Sequence, residues 1–249
     1  MSRTIAIGDI HGCATALDRL LDEIAPQPDD LIICVGDYVD RGMDSARVIE
    51  ILLELVTQCR FVPLIGNHEL MMFKGLRSQS DFQFWFQHGG NATVASYGGR
   101  VQNIPQHHLS FLSHCVRFYE TETHFFVHAN YEPDTPLAEQ PDGLLFWEHI
   151  NEFAPPPHYT GKTAVVGHTP QADGRVRDLG HIKIIDTFCY GDQWLSGLEV
   201  NTGEIWQANN AGDFRRDRLG HDDDELVESN PEDDDDDDSK TFSANELNS

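Results

Sequence analysis

The sequence predicts an α/β fold in which two mixed β-sheets pack as a sandwich flanked by helices, and three observations carry that expectation. The first 75 residues repeat a strand, a turn and a helix three times. From residue 117 onward, short apolar strands follow one another with little helix between them. Charged turns fall at the carboxyl ends of the strands, where open α/β sheets place their functional groups.

Thr4 to Ile7 is a short β-branched strand, and Cys13 to Ile24 then carries Ala16, Leu17, Leu20, Leu21 and Ile24 on one helical stripe. Leu31 to Val35 is a continuous apolar run, the pattern of a strand buried on both faces. Val48, Ile49, Leu52, Leu53 and Leu55 predict a helix from Ser45 to Val56. Phe61 to Ile65 is the third such strand and leads into a helix over Asn67 to Lys74. Three such units imply right-handed crossovers and a parallel sheet. Asp81 to Tyr97, with Phe82, Trp85 and Phe86, reads as an aromatic helix of the core or of a lid, and Pro105 to Cys115 as another helix. Arg117 to Thr121 and His124 to His128 read as a hairpin. Further strands follow at Ala164 to Gly167, His181 to Asp186, Leu195 to Val200 and Glu204 to Gln207, the last two joined by the turn Asn201-Thr202-Gly203. This second set is expected to form its own mixed or antiparallel sheet facing the first. Asn130 to Pro157, with six prolines, is expected to be an irregular surface insertion near the site.

A chain of 249 residues suffices for one large domain with a full core, expected over residues 1–216 and followed by an acidic disordered tail over 217–249. The tail holds 14 acidic and 2 basic residues, with Asp233 to Asp238 uninterrupted. Such a composition cannot bury enough apolar surface to order itself, and it lacks the spaced oxygens and glycine of a calcium loop. Acidic residues outnumber basic ones 42 to 17 overall, which argues against nucleic-acid binding through the phosphate backbone. Five cysteines with no CxxC pair indicate neither a disulfide framework nor a thiolate zinc site. The start has no signal-like apolar region, and no apolar run approaches the roughly 18 residues of a membrane span. The expectation is a cytoplasmic protein without a membrane partner.

The stretch Gly36-Asp37-Tyr38-Val39-Asp40-Arg41-Gly42 crowds two carboxylates and a guanidinium into one turn after an apolar strand. Asp37 and Asp40 repel each other when bare, and a divalent metal with a phosphate satisfies all three charges at once. The terminal glycines are expected to take the tight bend. Candidate partners stand at four more strand ends: Asp9 and His11 in Gly8-Asp9-Ile10-His11-Gly12, Asn67 and His68 in Gly66-Asn67-His68-Glu69, His128, and His168. Each alone is a weak signal, because a strand-end histidine or aspartate is more often structural. Together, hard oxygens and imidazoles suit a dication, manganese first and iron, zinc or nickel as alternatives, and do not suit soft copper. A carboxylate such as Asp37 can bridge two ions about 3.5 to 4 Å apart, the spacing of two-metal hydrolases.

GDIHG, GDYVDRG and GNHE, followed by two later histidines, resemble the signature of the phosphoprotein phosphatase family within the calcineurin-like metallophosphoesterases. The resemblance covers Thr4 to Gln207, and Gly89 to Gly98 looks like its bacterial members. It implies a β-sandwich flanked by helices and two divalent metal ions. By that resemblance Asp9, His11 and the bridging Asp37 match the ligands of one ion, and Asp37, Asn67, His128 and His168 those of the other. His68 matches the general acid, paired with Asp40, and Arg41 the clamp on the phosphate oxygens. The implied activity is that of a serine/threonine protein phosphatase hydrolysing phosphomonoesters by attack of a metal-bound hydroxide, with a phosphoprotein or a phosphorylated small molecule as substrate. No cysteine or serine nucleophile is required.

The chain departs from the family in one place. A second phosphate-binding arginine, often just after a tryptophan, is expected between the last two histidines, and here Trp147-Glu148-His149 stands there. Residues 129–167 contain no arginine and only Lys162 as lysine, so His149 is the candidate substitute. A dinucleoside polyphosphate hydrolase is an alternative, because its first motif also reads GDxHGC, whereas Asp40 and Glu69 weigh against that branch. A phosphotyrosine or small-molecule phosphatase and an inactive binding scaffold complete the alternatives. The Tyr190 turn after Asp186 reads equally as site or core.

Overall fold

The computed structural model describes residues 2–151 and 153–220. Strands β1 (Thr4–Ile7), β2 (Leu31–Cys34) and β3 (Arg60–Pro63) alternate with helices α1 (Ala14–Ile24), α2 (Ser45–Leu55) and α3 (Asn67–Gly75). The single helix expected over Asp81 to Tyr97 is instead α4 (Gln79–Trp85) and α5 (Asn91–Ser96), separated by a kink at His88 and Gly89. Helix α6 (Gln106–Ser113) leads to β4 (Phe118–Glu120), β5 (His124–Val127), α7 (Asp142–Trp147) and β6 (Thr163–Val166). Then come β7 (Arg177–Asp178), β8 (Ile182–Ile184), β9 (Leu195–Glu199), β10 (Glu204–Ala208) and β11 (Phe214–Arg218).

The strands form two mixed sheets, ordered β11-β10-β9-β1-β2-β3 and β4-β5-β6-β8-β7. The expected division of the chain into one sheet per half is therefore corrected. β9 pairs antiparallel with β1, and β10 and β11 extend that sheet further. The physical reason is that β1 is buried, and an unpaired edge there would leave its N–H and C=O groups without partners.

Side-chain alternation sets the layers. Ile5 and Ile7 of β1 pack with Leu17 and Leu20 of α1 and Ile49 and Leu52 of α2. Ala6, between them, faces the second sheet in a cluster with Ile33, Phe126, Val165 and Ile185. Phe125, Val127, Ala164 and Val166 point out of the sandwich onto Tyr131, Leu145, Phe146 and Ile150. This last cluster corrects the reading of Asn130 to Pro157 as a surface insertion, since the segment covers the outer face of the second sheet. Its prolines masked α7, which Pro141 immediately precedes, a position where the missing N–H costs nothing.

β11 crosses the boundary expected after residue 216, and Leu219 N–H still donates to Gly203 O at 2.9 Å. Its polar run Arg215-Arg216-Asp217 pairs with β10 through the backbone, and Arg215 Nε also donates to Gln207 Oε1 at 2.7 Å and its Nη2 to Gly174 O at 2.8 Å. The acidic run Asp233 to Asp238 lies outside the described residues. Among the described residues no helix is long and apolar enough to cross a membrane.

One ion pair pins the end of α1 to the start of β1. Arg3 Nε lies 3.2 Å from both carboxylate oxygens of Asp30, and Arg3 Nη1 donates to Ile24 O at 3.0 Å. Asp30 also accepts the N–H groups of Arg3 and Gln27, at 3.2 and 2.8 Å. Burial pushes the Asp30 carboxyl up, but these hydrogen bonds outweigh it and hold the group below its ordinary value. A depressed folded pKa stabilises at pH above the unfolded value and ceases to as pH falls through the folded one. Asp30→Ala is expected to cost about 1–3 kcal/mol in urea unfolding at neutral pH. The difference from wild type should close as the pH drops below about 4.

Candidate metal centre and active site

The carboxyl ends of β1, β2, β5 and β6 and the first turn of α3 bring Asp9, His11, Asp37, Asn67, His68, His128 and His168 to one end of the sandwich. All but the half-buried His168 are buried. Two glycines mark how closely these ends approach: a Cβ on Gly167 would lie 2.0 Å from Asp9 Oδ1, and one on Gly36 2.9 Å from His128 Nδ1.

The bend of the Gly36 to Gly42 stretch differs from expectation. Gly36 does take a positive φ of 112°, but so do Asp37 (53°), Asp40 (74°) and Arg41 (67°), and likewise His11 (45°) and His168 (60°). Gly42 serves close approach instead, since its Cβ would meet His11 O at 2.0 Å. Left-handed backbone at non-glycine residues costs about 1–3 kcal/mol each and persists only where neighbours over-determine it. Glu69 supplies much of that restraint here. Its fully buried carboxylate accepts the N–H groups of Gly66, Asp37, Tyr38 and Val39 at 2.9, 3.0, 2.8 and 3.3 Å. His11 N–H adds a bond to Asp37 O at 2.8 Å.

The two oxygens of Asp37 face different imidazoles. Oδ2 lies 3.4 Å from His11 Nε2 and Oδ1 3.5 Å from His128 Nε2, which is in turn 3.0 Å from Asn67 Oδ1. The Nδ1 atoms of His11 and His128 bond the carbonyls of Val39 and Val35 at 2.9 and 2.8 Å. That fixes each ring with Nε2 turned inward, as in metal-binding histidines. Burial pushes both rings below the ordinary histidine value, and His168 down to about 3, so all three present lone pairs.

The ligand atoms of Asp37, His128 and His168 lie within 4.8 Å of one another, as do those of His11, Asp37 and His68. Asp9 stands outside both trios and is joined to them by the His168 N–H, which donates to Oδ2 at 3.0 Å.

The test of fit comes from unpaired atoms. Asp9 Oδ1 and His168 Nε2 are buried without a hydrogen-bond partner, a costly state for lone pairs that no protein donor meets. Asp186 adds a buried carboxylate, pushed up to about 7 by burial and by Asp37, and Asp9 is pushed up by burial, by Asp186 and by Asp37. Burial opposes ionisation of Asp37 too, yet His128, His68 and His11 hold it below its ordinary value. Clustered carboxylates with neutral imidazoles fit divalent cations.

His68 lies beside this set. Its Nδ1 is 2.7 Å from Asp40 Oδ2. Burial lowers its pKa, but the carboxylates of Asp37 and Asp40 outweigh burial and raise it above the ordinary value. Asp40 is fully buried and accepts Trp85 Nε1–H at 2.9 Å and the Thr93 hydroxyl at 2.6 Å, while its own N–H donates to Thr93 Oγ1 and Ser45 Oγ. Arg41 is exposed, with Nη2 3.2 Å from His68 Nε2 and its guanidinium over the Tyr190 ring at 4.4 Å, donating to the Tyr190 hydroxyl. Tyr190 therefore faces the site.

His149, also exposed, stacks on the His168 ring with centroids 4.3 Å apart. Lys162 is remote from this role, paired with Glu120 at 2.6 Å. Sequence reasoning missed Trp85, Thr93, Glu69 and Asp186 as supports. All four lie in stretches that it named, Trp85 in the aromatic helix, Thr93 in Gly89 to Gly98, Glu69 in Gly66-Asn67-His68-Glu69 and Asp186 at a strand end, but none was given this role.

Over 85 residues the chain is 38% identical to serine/threonine-protein phosphatase 2 of Salmonella typhimurium, a likeness that covers 34% of this chain and 37% of that protein. The chain thus matches little more than a third of that relative's length. A longer match, 27% identical over 217 residues, covers 74% of this chain and 82% of the asymmetrical bis(5'-nucleosyl)-tetraphosphatase PrpE of Oceanobacillus iheyensis. The cold-active protein-tyrosine phosphatase of a psychrophilic Shewanella shares the fold, with a TM-score of 0.65 at 16% identity over 87% of this chain and 80% of that one. The motifs, the two-sheet fold and a family match that extends over residues 2–193 agree, and the chain belongs to the calcineurin-like phosphoesterase family.

Proposed function

We propose that this phosphoesterase is a metal-dependent phosphomonoesterase acting on phosphoserine and phosphothreonine in proteins. The observation that carries the reading is the His68–Asp40 pair at 2.7 Å with the exposed Arg41 fork 3.2 Å from the other ring nitrogen. A proton donor and an anion clamp thus share one open side.

Asp9, His11, Asp37, Asn67, His128 and His168 would hold two divalent ions, manganese first. Bound there, they supply Lewis-acid charge to the phosphoryl oxygens and activate water. His68 gives its Nε2 proton to the leaving alkoxide, while Asp40 orients the ring and favours its charged form. Arg41 takes the non-bridging phosphate oxygens with its planar fork, and Tyr190 braces that fork from below. His149 lies against His168 and stands in for the absent arginine. His149→Ala is expected to raise KM for a phosphopeptide about tenfold with a smaller change in kcat, and His149→Arg to lower KM below the alanine variant. An unchanged KM in both removes His149 from the site.

Catalysis is assigned to the body of the chain through β11, and the acidic stretch beyond it is given no catalytic role. Five free thiols fit a reducing cytoplasm.

A second reading, a dinucleoside polyphosphate hydrolase, is favoured by the longer likeness to the Oceanobacillus protein. The deciding experiment compares kcat/KM for a phosphopeptide panel and for diadenosine tetraphosphate on one manganese-loaded preparation. A higher value for the dinucleotide overturns the proposal, and turnover of neither leaves the protein a binding scaffold.

A further inference from the structure

Among the described residues, three groups of side chains bring metal-ligating atoms within 4.8 Å of one another, and two of them belong to the centre described above. The third is Glu50 with His107 and His108. Glu50 is on α2, and the two histidines stand in the first turn of α6. Both imidazoles turn the same nitrogen to the same oxygen: His108 Nε2 lies 2.7 Å from Glu50 Oε1, and His107 Nε2 3.5 Å from it. An ordinary ion pair needs only one imidazole. Here a second ring is held at the carboxylate although 60% of its side chain is exposed to water.

The His108 ring is fixed from behind. It is buried, and its Nδ1 lies 2.8 Å from the Tyr97 hydroxyl. A ligating imidazole has such an outer partner, which orients the ring and sets the nitrogen that holds the proton. A hydroxyl donates as readily as it accepts. His108 can therefore carry its proton on Nε2 while it bonds Glu50, and on Nδ1, toward Tyr97, when Nε2 meets a cation.

The spacing suits a small dication. Ligand atoms about 2.0–2.2 Å from a tetrahedral zinc ion lie roughly 3.3 Å from one another, and the two nitrogen–oxygen separations fall on either side of that value. The rings of His107 and His108 meet edge-on with centroids 4.4 Å apart, and the exposed one has room to turn inward. Arg47, one turn before Glu50 on α2, pairs with Glu54 at 3.0 Å and with Asp18 at 3.5 Å, so the guanidinium of this helix is engaged with other carboxylates.

We propose that Glu50, His107 and His108 form a metal site separate from the phosphoesterase centre, which takes one zinc-class cation and ties α2 to α6. Two imidazoles and one carboxylate favour zinc, nickel, cobalt or copper over magnesium and calcium, which need more hard oxygens. The inference is independent of the substrate reading above. Its effect belongs to stability, because the bound ion would join two helices that pack on the same core.

The test adds zinc to the manganese-loaded full chain, removes the excess by gel filtration and measures both metals per chain. Wild type should retain one zinc with its manganese unchanged. His107→Ala and Glu50→Gln should each weaken zinc binding at least tenfold in a titration, and Tyr97→Phe, which removes no ligand, about tenfold. Zinc should raise the Tm of wild type and not that of His107→Ala, while p-nitrophenyl phosphate turnover without zinc is the same in both. Equal zinc uptake by wild type and His107→Ala, or uptake only in exchange for manganese, overturns the inference. A chain that retains no manganese, yet binds zinc in wild type and not in His107→Ala, supports this site and counts against the dinuclear centre instead.

Discussion

Asp37→Asn is expected to lower turnover of any phosphomonoester by a factor on the order of 10³ or more. It is also expected to reduce the manganese retained per chain after dialysis. The size of the effect follows from where the carboxylate sits. One oxygen faces His11 and the other His128, while the second of these also accepts the His68 N–H at 3.0 Å. An amide keeps the shape but replaces one oxygen by an NH₂ group, which turns a donor toward an imidazole lone pair or toward a cation. It also removes the negative charge that counters the effect of burial on the titration of His11, His68, His128 and His168. The measurement is p-nitrophenyl phosphate hydrolysis with and without chelator, beside metal analysis of the same sample. Wild-type activity and wild-type metal content in the variant would show that Asp37 is not shared between ions.

The second large effect belongs to His68. His68→Asn is expected to lower kcat for a phosphoserine peptide by about 10²–10⁴, the usual contribution of a positioned proton donor. The loss should be far smaller for p-nitrophenyl phosphate, whose leaving group departs without a proton. Asp40→Asn should fall between wild type and His68→Asn, because the amide can still accept from the ring while it no longer favours the charged imidazole. Equal losses on the two substrates would make His68 a structural residue. The supports of Asp40 make that comparison clean. Trp85 and Thr93 hold the side chain from α4 and α5, and Ser45 holds its backbone from α2.

Most elements were legible in the sequence, because each announces itself locally. Ile5, Ile32 and Phe61 stand in short apolar runs, and Leu17 with Leu20 or Val48 with Leu52 recur at helical spacing. The candidate donors were legible for a related reason. Asp9, Asp37, Asn67, His128 and His168 each end an apolar strand, where a buried carboxylate, amide or imidazole has no packing reason to be. β7, β11 and α7 were not legible. β11 is a polar edge strand held by backbone pairing, and α7 lies among prolines that usually mark loops.

The sequence by itself determined the strand and helix periods, and with them the strand ends on which carboxylates and imidazoles converge, since both are short-range properties of neighbouring residues. Only the tertiary structure decided that β9 closes the edge of β1, which lies almost the whole chain away from it. The same holds for the roles of Trp85 and Thr93 at Asp40 and of Glu69 under the Asp37 turn. It also holds for the meeting of Glu50 with His107 and His108 between α2 and α6. Those outcomes rest on hydrogen bonds and contacts between residues tens of positions apart, and on backbone pairing to which side-chain composition is nearly blind.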